Sequence, residues 1–419
     1  MDRPVAGCRI DTTADSCSAA LLARLLTSKG VSPPEFMLRA VRFCATVEIT
    51  GITQHRLQHE LPAPFDASWV PGGQQTELAV DLFEVHTDEG ITGVTAMPSF
   101  PGGLDLEPVF ESQLVGENPH HVERILDFLD TVEFLGADAR YIEVALWDII
   151  GKDAGKPIYE LLGGDDEPIA AYASTGAIKP AEERLDYVAD RVAEGFEAVK
   201  LRFGSPDVET DLDVARTIRE EFPDLTLMVD ANNGWSMRLA GEVGHEWSLA
   251  EAKQVAAGLE AIGDVAWLEE PLPQRNYQRL AELRDSTSIA IAGGESTGGL
   301  ASFREYIDHR SLDVLQPDAI FATGILDGKK VAGMAEAFGF EFAPHTWSNG
   351  IGLAANLHLL AATQAQWCEY PHEPPGFLPE ERDFMLKETI VTEDGYVTPP
   401  DDPGLGVDID WDVVEATEV

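Results

Sequence analysis

The chain has 419 residues, of which 44% are hydrophobic, and its formal net charge at pH 7 is −45. This length allows a large α/β barrel with a smaller companion domain, and the apolar content excludes wholesale disorder. The negative charge excludes nucleic-acid partners, because a polyphosphate would be repelled across the whole surface. No apolar run is long enough to span a bilayer, so we expect no membrane-embedded segment.

The acidic residues are spread along the chain, which is typical of a solvated acidic surface. We interpret this charge as an adaptation to a salt-rich cytosol, where screening by ions weakens self-repulsion. The four cysteines, Cys8, Cys17, Cys44 and Cys368, form no CxxC pair and no zinc-binding spacing. No secretory signal pattern opens the chain, so we expect a reduced, cytoplasmic protein.

Residues 1–45 are interpreted as an N-terminal extension, in which residues 18–30 have the pattern of a short amphipathic helix. Residues 46–165 begin with period-2 alternation around a TDEG turn, which predicts an antiparallel sheet. Helical patterns closed by glycines follow. We therefore predict an α+β capping domain over residues 46–165.

Residues 166–370 alternate short apolar runs with helix-period segments, which indicates parallel βα units. Eight such strands fit a closed barrel better than an open sheet, and no nucleotide-binding glycine motif is present. Residues 371–419 have strand and turn signals without this rhythm, and we expect them to return to the capping domain. The strands are predicted at residues 169–174, 198–203, 225–230, 265–270, 289–294, 312–317, 340–345 and 366–370.

Carboxylates follow three consecutive predicted strands, at the barrel face where active sites are built: Asp230, Glu269 and Glu295. Three such groups in one cavity would repel one another without a cation, and oxygen ligands suit a hard divalent ion such as Mg2+. Glu270 adjoins Glu269, but successive strand residues face opposite ways, so only one of them can face the metal. The alternative is an acidic loop rim, since surplus acid occurs throughout the chain.

Basic residues and a histidine share this barrel face. Lys200 and Arg202 are two residues apart, so both side chains face the same way, towards an anion or into a structural salt bridge. His345 ends the seventh strand and Asp318 follows the sixth, and an imidazole oriented by a carboxylate is the usual construction of a general base or acid. Glu369, on the eighth strand, completes the ring and is a hydrogen-bond donor if it stays protonated.

The motifs VKLRFG, VDANNGW, WLEEPL, GGEST, LQPDAIFATGI and APHTWSNGIG occur in this order, and together they resemble the enolase superfamily. The combination of His345 and Asp318 is similar to its mandelate racemase subgroup. ALWDIIGKDAGKPIYELLGG and DDPGLGVDID extend the resemblance over residues 46–419. It implies a modified TIM barrel, (β/α)7β, with a capping domain, and members of the family commonly form homo-oligomers.

The resemblance also implies roles for individual residues. Lys200 and Arg202 occupy the positions of a Lys-x-Lys acid/base element, and enolase-type sites use a Lys or His base with Mg2+. Residues 63–77 are interpreted as a lid, with Trp69 as a substrate contact. The remaining implied roles are Mg2+ ligands for Asp230, Glu269 and Glu295, a proton-transfer dyad for His345 and Asp318, an electrophilic partner for Glu369 and a substrate contact for Asn232.

Arg202 departs from the family pattern, because arginine replaces the expected catalytic lysine and cannot accept a proton near neutrality. We therefore predict a sugar-acid dehydratase that converts an aldonate or aldarate to its 2-keto-3-deoxy product, with a small carboxylate as its partner. A racemase or epimerase of a 2-hydroxy acid, with Lys200 as second base, is the alternative. A non-catalytic barrel that binds an acidic metabolite is a third interpretation, and the absence of a lysine near residues 316–325 disfavours a cycloisomerase.

Overall fold

A computed structural model of the chain describes residues 47–70, 73–99, 105–136, 139–235 and 246–419. The predicted extension 1–45, with its amphipathic segment 18–30 and three of the four cysteines, lies outside these residues. Cys368 is described, and it is a buried free thiol. Within the described ranges, no helix combines the length and the hydropathy that a bilayer crossing needs.

The capping domain contains a three-stranded antiparallel sheet in the spatial order β1-β2-β3. Helix α3 packs so closely on β3 that a Cβ added at Gly93 would collide with the carbonyl oxygen of Ala145. A side chain at this position would separate the helix from the sheet. The elements are β1 (Ile49–Asp66), β2 (Gln74–Thr87), β3 (Thr92–Pro98), α1 (Glu107–Leu114), α2 (Val122–Phe134), α3 (Ile142–Ala154) and α4 (Ile158–Leu161).

The barrel contains eight parallel strands in the spatial order β10-β9-β8-β7-β6-β5-β4-β11, so the last strand in sequence pairs with the first. The backbone N–H of Thr346 donates to the Glu369 carboxylate at 2.8 Å, which links the ends of β10 and β11. The strands are β4 (Ile169–Ser174), β5 (Ala198–Arg202), β6 (Thr226–Asp230), β7 (Val265–Glu269), β8 (Ala290–Gly293), β9 (Val314–Leu315), β10 (Glu341–Phe342) and β11 (Trp367–Pro371).

One helix follows each of the first seven barrel strands, so the predicted modified (β/α)7β barrel with an α+β cap is confirmed. Ser248 and Glu251 form a reciprocal capping box at the start of the third of these helices, α7. The helices are α5 (Ala181–Ala193), α6 (Val208–Glu221), α7 (Leu249–Ile262), α8 (Tyr277–Arg284), α9 (Leu300–His309), α10 (Gly324–Phe338) and α11 (Gly350–Ala361).

The interior of the barrel begins with an apolar layer to which β4 to β9 contribute one side chain each and the residue after β10 contributes a seventh. These side chains fill the barrel, so it is a packed core rather than a pore. We call this set the inner layer, and its members are Tyr172, Ala198, Met228, Trp267, Ala292, Val314 and Ala343.

The C-terminal segment contacts both parts of the molecule. Its short strand β12 (Tyr396–Val397) pairs with the first residues of β4, and Glu418 forms an antiparallel bridge to Leu57 of β1. The C-terminal segment therefore contacts the cap, as predicted, and also contacts the barrel. The helices of this segment are α12 (Pro379–Arg382) and α13 (Trp411–Thr417).

Candidate active site and metal centre

A polar layer lies above the inner layer. Because side chains on a strand alternate between the two faces, the residue two positions after each inner-layer member faces the same way. This register explains why charged groups end strands whose other residues are apolar. The polar layer contains Ser174, Lys200, Asp230, Glu269, Gln316 and His345, and Glu369 joins it from β11.

Asp230, Glu269 and Glu295 form an acidic trio at the mouth of the barrel. One ligand oxygen from each lies within 4.8 Å of the others, and all three residues are buried. Within the part of the chain that the structure describes, the buried Oε2 atom of Glu295 accepts no hydrogen bond, although His345 Nε2 lies 3.5 Å away. An all-oxygen set with an unpaired oxygen fits a hard divalent cation. Among the described residues, no other group of histidine, cysteine and carboxylate side chains has this geometry.

Hydrogen bonds hold the trio in place. Glu269 accepts from Lys200 Nζ at 2.7 Å and from Trp267 Nε1 and Gln316 Nε2 at 3.0 Å each. Trp235 Nε1 donates to Glu295 Oε1 at 2.5 Å. Burial raises the pKa of Glu269 to about 7, with Lys200 acting in the opposite direction. These donors orient the carboxylates before any ligand binds.

Glu270 is buried but lies outside the trio. Its backbone has a positive φ of 43°, and its side chain accepts a hydrogen bond from the N–H of Gly294 at 2.8 Å. Burial, followed by the neighbouring Glu295, raises the pKa of Glu270 well above its ordinary value. Only Glu269 of the adjacent pair therefore supplies an oxygen to the trio.

Lys200 is fully buried between two carboxylates. Its Nζ lies 2.7 Å from Glu269 Oε1 and 2.6 Å from Glu369 Oε1, with Asp230 Oδ2 at 3.7 Å. Burial alone would lower the pKa of Lys200, but Glu269 and Glu369 raise it above its ordinary value. The surrounding charges therefore favour the ammonium form.

Arg202 is also buried, and its guanidinium has both hydrogen-bond acceptors and aromatic rings as partners. It donates to Asp230, to the carbonyl oxygen of Thr175 and, at 3.2 Å, to Asn232 Oδ1. Two indole rings, of Trp69 and Trp347, lie 5.5 and 4.8 Å from its central carbon. The predicted substrate contacts Trp69 and Asn232 thus both adjoin Arg202.

His345 and Asp318 form a hydrogen-bonded dyad, and His345 Nε2 lies 3.9 Å from Glu369, the carboxylate that also pairs with Lys200. His345 Nδ1 lies 2.9 Å from Asp318 Oδ2, and Asp318 Oδ1 accepts from the backbone N–H groups of residues 320 and 321. His345 Nε2 points towards Glu295 Oε2, at 3.5 Å. Burial alone would lower the pKa of His345, but Glu295 and Glu369 raise it to about 10.

Glu369 accepts hydrogen bonds from Ser174 Oγ at 2.6 Å and from the Thr346 N–H, and it pairs with Lys200. Burial alone would raise the pKa of Glu369, but Lys200, His345 and Arg202 lower it to about 2. The electrophilic role predicted for Glu369 needs a protonated carboxyl group. The surrounding cations favour the carboxylate instead.

The structure thus places every residue of the predicted site in one connected cluster, from Trp69 and Arg202 to His345 and Asp318. It adds partners that sequence reasoning missed, among them Ser174, Trp235, Trp267 and Gln316. Gln316 lies two positions after Val314, so the strand period alone could have predicted that its side chain faces the site. Trp235 gives no such signal, because it follows β6 in a loop and reaches Glu295 only through the fold.

Two family descriptions match the chain. Residues 52–163 match the mandelate racemase / muconate lactonizing enzyme N-terminal domain, and residues 183–413 match the description "Enolase C-terminal domain-like". The matched ranges cover the cap and most of the barrel, including each member of the trio and the dyad.

Curated proteins and solved structures share this likeness. The chain is 31% identical over 389 residues to the D-galactarolactone cycloisomerase of Agrobacterium fabrum, covering 88% of this chain and 98% of the relative. It is 30% identical over 359 residues to the arabinonate dehydratase of Saccharolobus solfataricus, covering 82% and 92%. The L-talarate dehydratase of Polaromonas sp. JS666, solved with Mg and L-glucarate, has a TM-score of 0.74 at 25% identity, covering 89% of this chain and 98% of that structure.

Proposed function

Because this chain belongs to the enolase superfamily, in its mandelate racemase / muconate lactonizing enzyme branch, we propose that it is a dehydratase of sugar acids. The chain is therefore an enzyme, and its dehydratase relatives support the predicted hydro-lyase class. One observation carries the proposal. The acidic trio lies beside a single His345–Asp318 dyad, while the second basic residue of β5 is Arg202, which cannot accept a proton near neutrality.

The trio is the proposed Mg2+ site. Its three carboxylates offer oxygen only, and Glu295 Oε2 accepts no hydrogen bond from the described residues, so the residues fit this ion. A bound Mg2+ would supply positive charge to the carboxylate of the substrate and would offset the negative charge of the trio. Magnesium is bound in the related talarate dehydratase structure, which supports this choice of metal.

His345 is the proposed acid/base group. Glu295 and Glu369 raise the pKa of His345, and a bound Mg2+ would offset the charge of Glu295 and so favour the neutral imidazole. In that form Nε2 removes the proton from the carbon next to the substrate carboxylate, and Asp318 stabilises the resulting imidazolium through Nδ1. The C–H electrons form a carbon–carbon double bond, the β C–O bond breaks, and His345 returns the proton to the departing hydroxide as water. The enol product then tautomerises to the 2-keto-3-deoxy acid. Lys200 and Arg202 offset the negative charge that develops on the carboxylate.

Elimination suits this site better than racemisation. Racemisation needs a proton acceptor on each face of the α-carbon, and Arg202 cannot accept a proton near neutrality. Lys200 could act only after release from Glu269 and Glu369, which hold its ammonium at 2.7 and 2.6 Å. An epimerase with Lys200 as second base is therefore the less favoured reaction.

A panel of aldonic and aldaric acids, complete in stereochemistry, tests the proposal. Purified protein with MgCl2 and molar KCl is incubated with each acid, and the 2-keto acid product is detected. We expect turnover of at least one acid, and its loss in His345→Asn. Failure of the whole panel by a protein that binds Mg2+ would contradict the proposal, and solvent deuterium in recovered substrate, with inversion, would identify an epimerase.

The cycloisomerase relative favours a second candidate reaction, because it shares 31% identity over nearly its whole length. The absence of a lysine near residues 316–325 does not exclude this reaction, since His345 lies on that side of the site. Mass spectrometry separates the two reactions: a dehydratase product is lighter than its substrate by one water, whereas a cycloisomerase product has the mass of its substrate. Sugar lactones therefore belong in the same panel.

The other sequence-based assignments remain proposals. These are a cytoplasmic location, a homo-oligomer, a salt-rich setting, and a division of the chain at residues 46–165, 166–370 and 371–419.

A further inference from the structure

A short segment of the cap, residues 65–70, lies directly on the mouth of the barrel. We call it the cap segment. The N–H of Ser68 donates to the carbonyl oxygen of Gly176 at 2.9 Å. A Cβ added at Gly176 would lie 2.7 Å from ring atoms of both Phe65 and Trp347, so only glycine permits this close approach. The cap segment is thus fixed against the barrel backbone.

Trp69 of the cap segment packs against Arg202. The central carbon of the guanidinium lies 5.5 Å from the centroid of Trp69 and 4.8 Å from that of Trp347. The two indoles contact each other edge to face, with centroids 5.1 Å apart. A buried guanidinium against aromatic rings gains a cation–π interaction that is stronger than at an exposed site. One ring comes from the cap and the other from the loop after His345, so the guanidinium connects the cap to the barrel.

Ser68 of the same segment reaches the site through Asn232. Its Oγ donates to Asn232 Oδ1 at 2.9 Å, and Arg202 donates to the same oxygen at 3.2 Å. The Nδ2 of Asn232 donates to Asp230 Oδ2, also at 3.2 Å. A continuous chain of hydrogen bonds therefore runs from the cap segment to the acidic trio.

We propose that Trp69 and Ser68 are positioning residues, which fix the orientations of Arg202 and Asn232 in the site. This inference rests on the proposed function for its kinetic consequence. Two rings and three hydrogen-bond acceptors leave Arg202 one orientation, and a small misplacement of a charge-stabilising group lowers the rate steeply. Loss of Trp69 or Ser68 should therefore reduce kcat more than it changes KM.

A double-mutant cycle tests the contact itself without any substrate. The urea midpoint is measured for Trp69→Leu, Arg202→Met and the double variant, all in MgCl2. Coupled residues give a double variant that loses less than the sum of the two single losses. Additive losses would overturn the proposal. Arg202→Lys provides the same cycle if the methionine variant does not fold.

Kinetics test the positioning role, with the acid that the panel identifies. We expect Trp69→Leu and Ser68→Ala to lower kcat about tenfold with little change in KM, and Trp69→Phe to recover most of the rate. Phe110→Leu is the matched control, because Phe110 is a buried ring of the cap that packs on Phe83 and Tyr141. These contacts lie in the apolar core of the cap, so this variant should lose stability and keep its kcat.

Unchanged kcat in Trp69→Leu, or an equal loss in Phe110→Leu, would contradict the positioning role. If no acid is turned over, the proposed function fails, and the double-mutant cycle still decides whether the cap segment is coupled to Arg202. The two failures are therefore distinguishable.

Discussion

His358 lies within helix α11, buried and with both ring nitrogens in use. Nδ1 accepts the backbone N–H of Tyr159 at 3.3 Å, so the proton resides on Nε2, which donates to the carbonyl oxygen of Leu405 at 3.1 Å. A second proton on Nδ1 would face the Tyr159 N–H. Burial lowers the pKa of His358 to about 4, from an ordinary 6.5, and we expect acid to destabilise the fold through this residue.

The sign and size follow from linkage between protonation and folding. A histidine whose pKa is depressed by folding contributes stability that is fully present above its unfolded pKa. This contribution is lost as the pH falls towards the folded pKa of His358, because only the unfolded chain readily takes up the proton. Between pH 7.5 and 5.0 the loss from His358 alone is about 2 kcal/mol.

Urea unfolding at these two pH values, at fixed KCl, measures the effect. His358→Gln should be less stable than wild type at pH 7.5 but should lack about 2 kcal/mol of the acid-induced loss. His309→Gln, which removes an exposed histidine, is the matched control and should behave as wild type. Parallel pH dependences for wild type and His358→Gln would refute the reasoning. Both pH values lie above the sequence pI of about 4.3, which keeps the protein soluble during the measurement.

Three further predictions concern the site and the surface. His345→Asn should lower kcat by about 10²- to 10⁴-fold, as expected for loss of a general base. Circular dichroism checks that the variant is folded. A kcat within tenfold of wild type would show that His345 does not have the proposed role. Glu295→Gln should weaken Mg2+ binding, measured by calorimetry, whereas Glu305→Gln on the surface of helix α9 should not; equal affinities would move the metal away from the trio. The melting temperature should rise steeply from low to molar KCl, because the Debye length falls to about 3 Å; a flat response would contradict the salt-rich interpretation.

Much of the barrel could be predicted because its strands follow one simple rule. Runs such as 169–174 and 366–370 are bounded by turn residues, and β4 and β11 occupy almost the same bounds. The predicted strands 312–317 and 340–345 are too long, since β9 and β10 each have two residues. Pro317 and Pro344 lack the N–H that a longer ladder would use, which explains part of the difference.

The site could be predicted in part for the same reason. The period of two places Lys200, Asp230 and Glu269 on one face, and their sequence positions suffice for that. Contacts between distant segments could not be predicted, because Trp69 and Arg202 are brought together only by the docking of the cap. The burial of Glu270 also escaped sequence analysis, since alternation gives its direction and not its surroundings.

The inner and polar layers are two residues apart on the same strands, and this spacing restricts how the protein can change. An insertion or deletion of one residue within β5 would turn Lys200 outwards and bring Leu201 into the barrel. Such a change would damage the core and the chemistry together. A single substitution, as at Arg202, alters the chemistry and leaves the register intact. Evolution can therefore diversify reactions in this barrel by exchanging side chains on strands and by lengthening loops, while the strands themselves tolerate no shift in length.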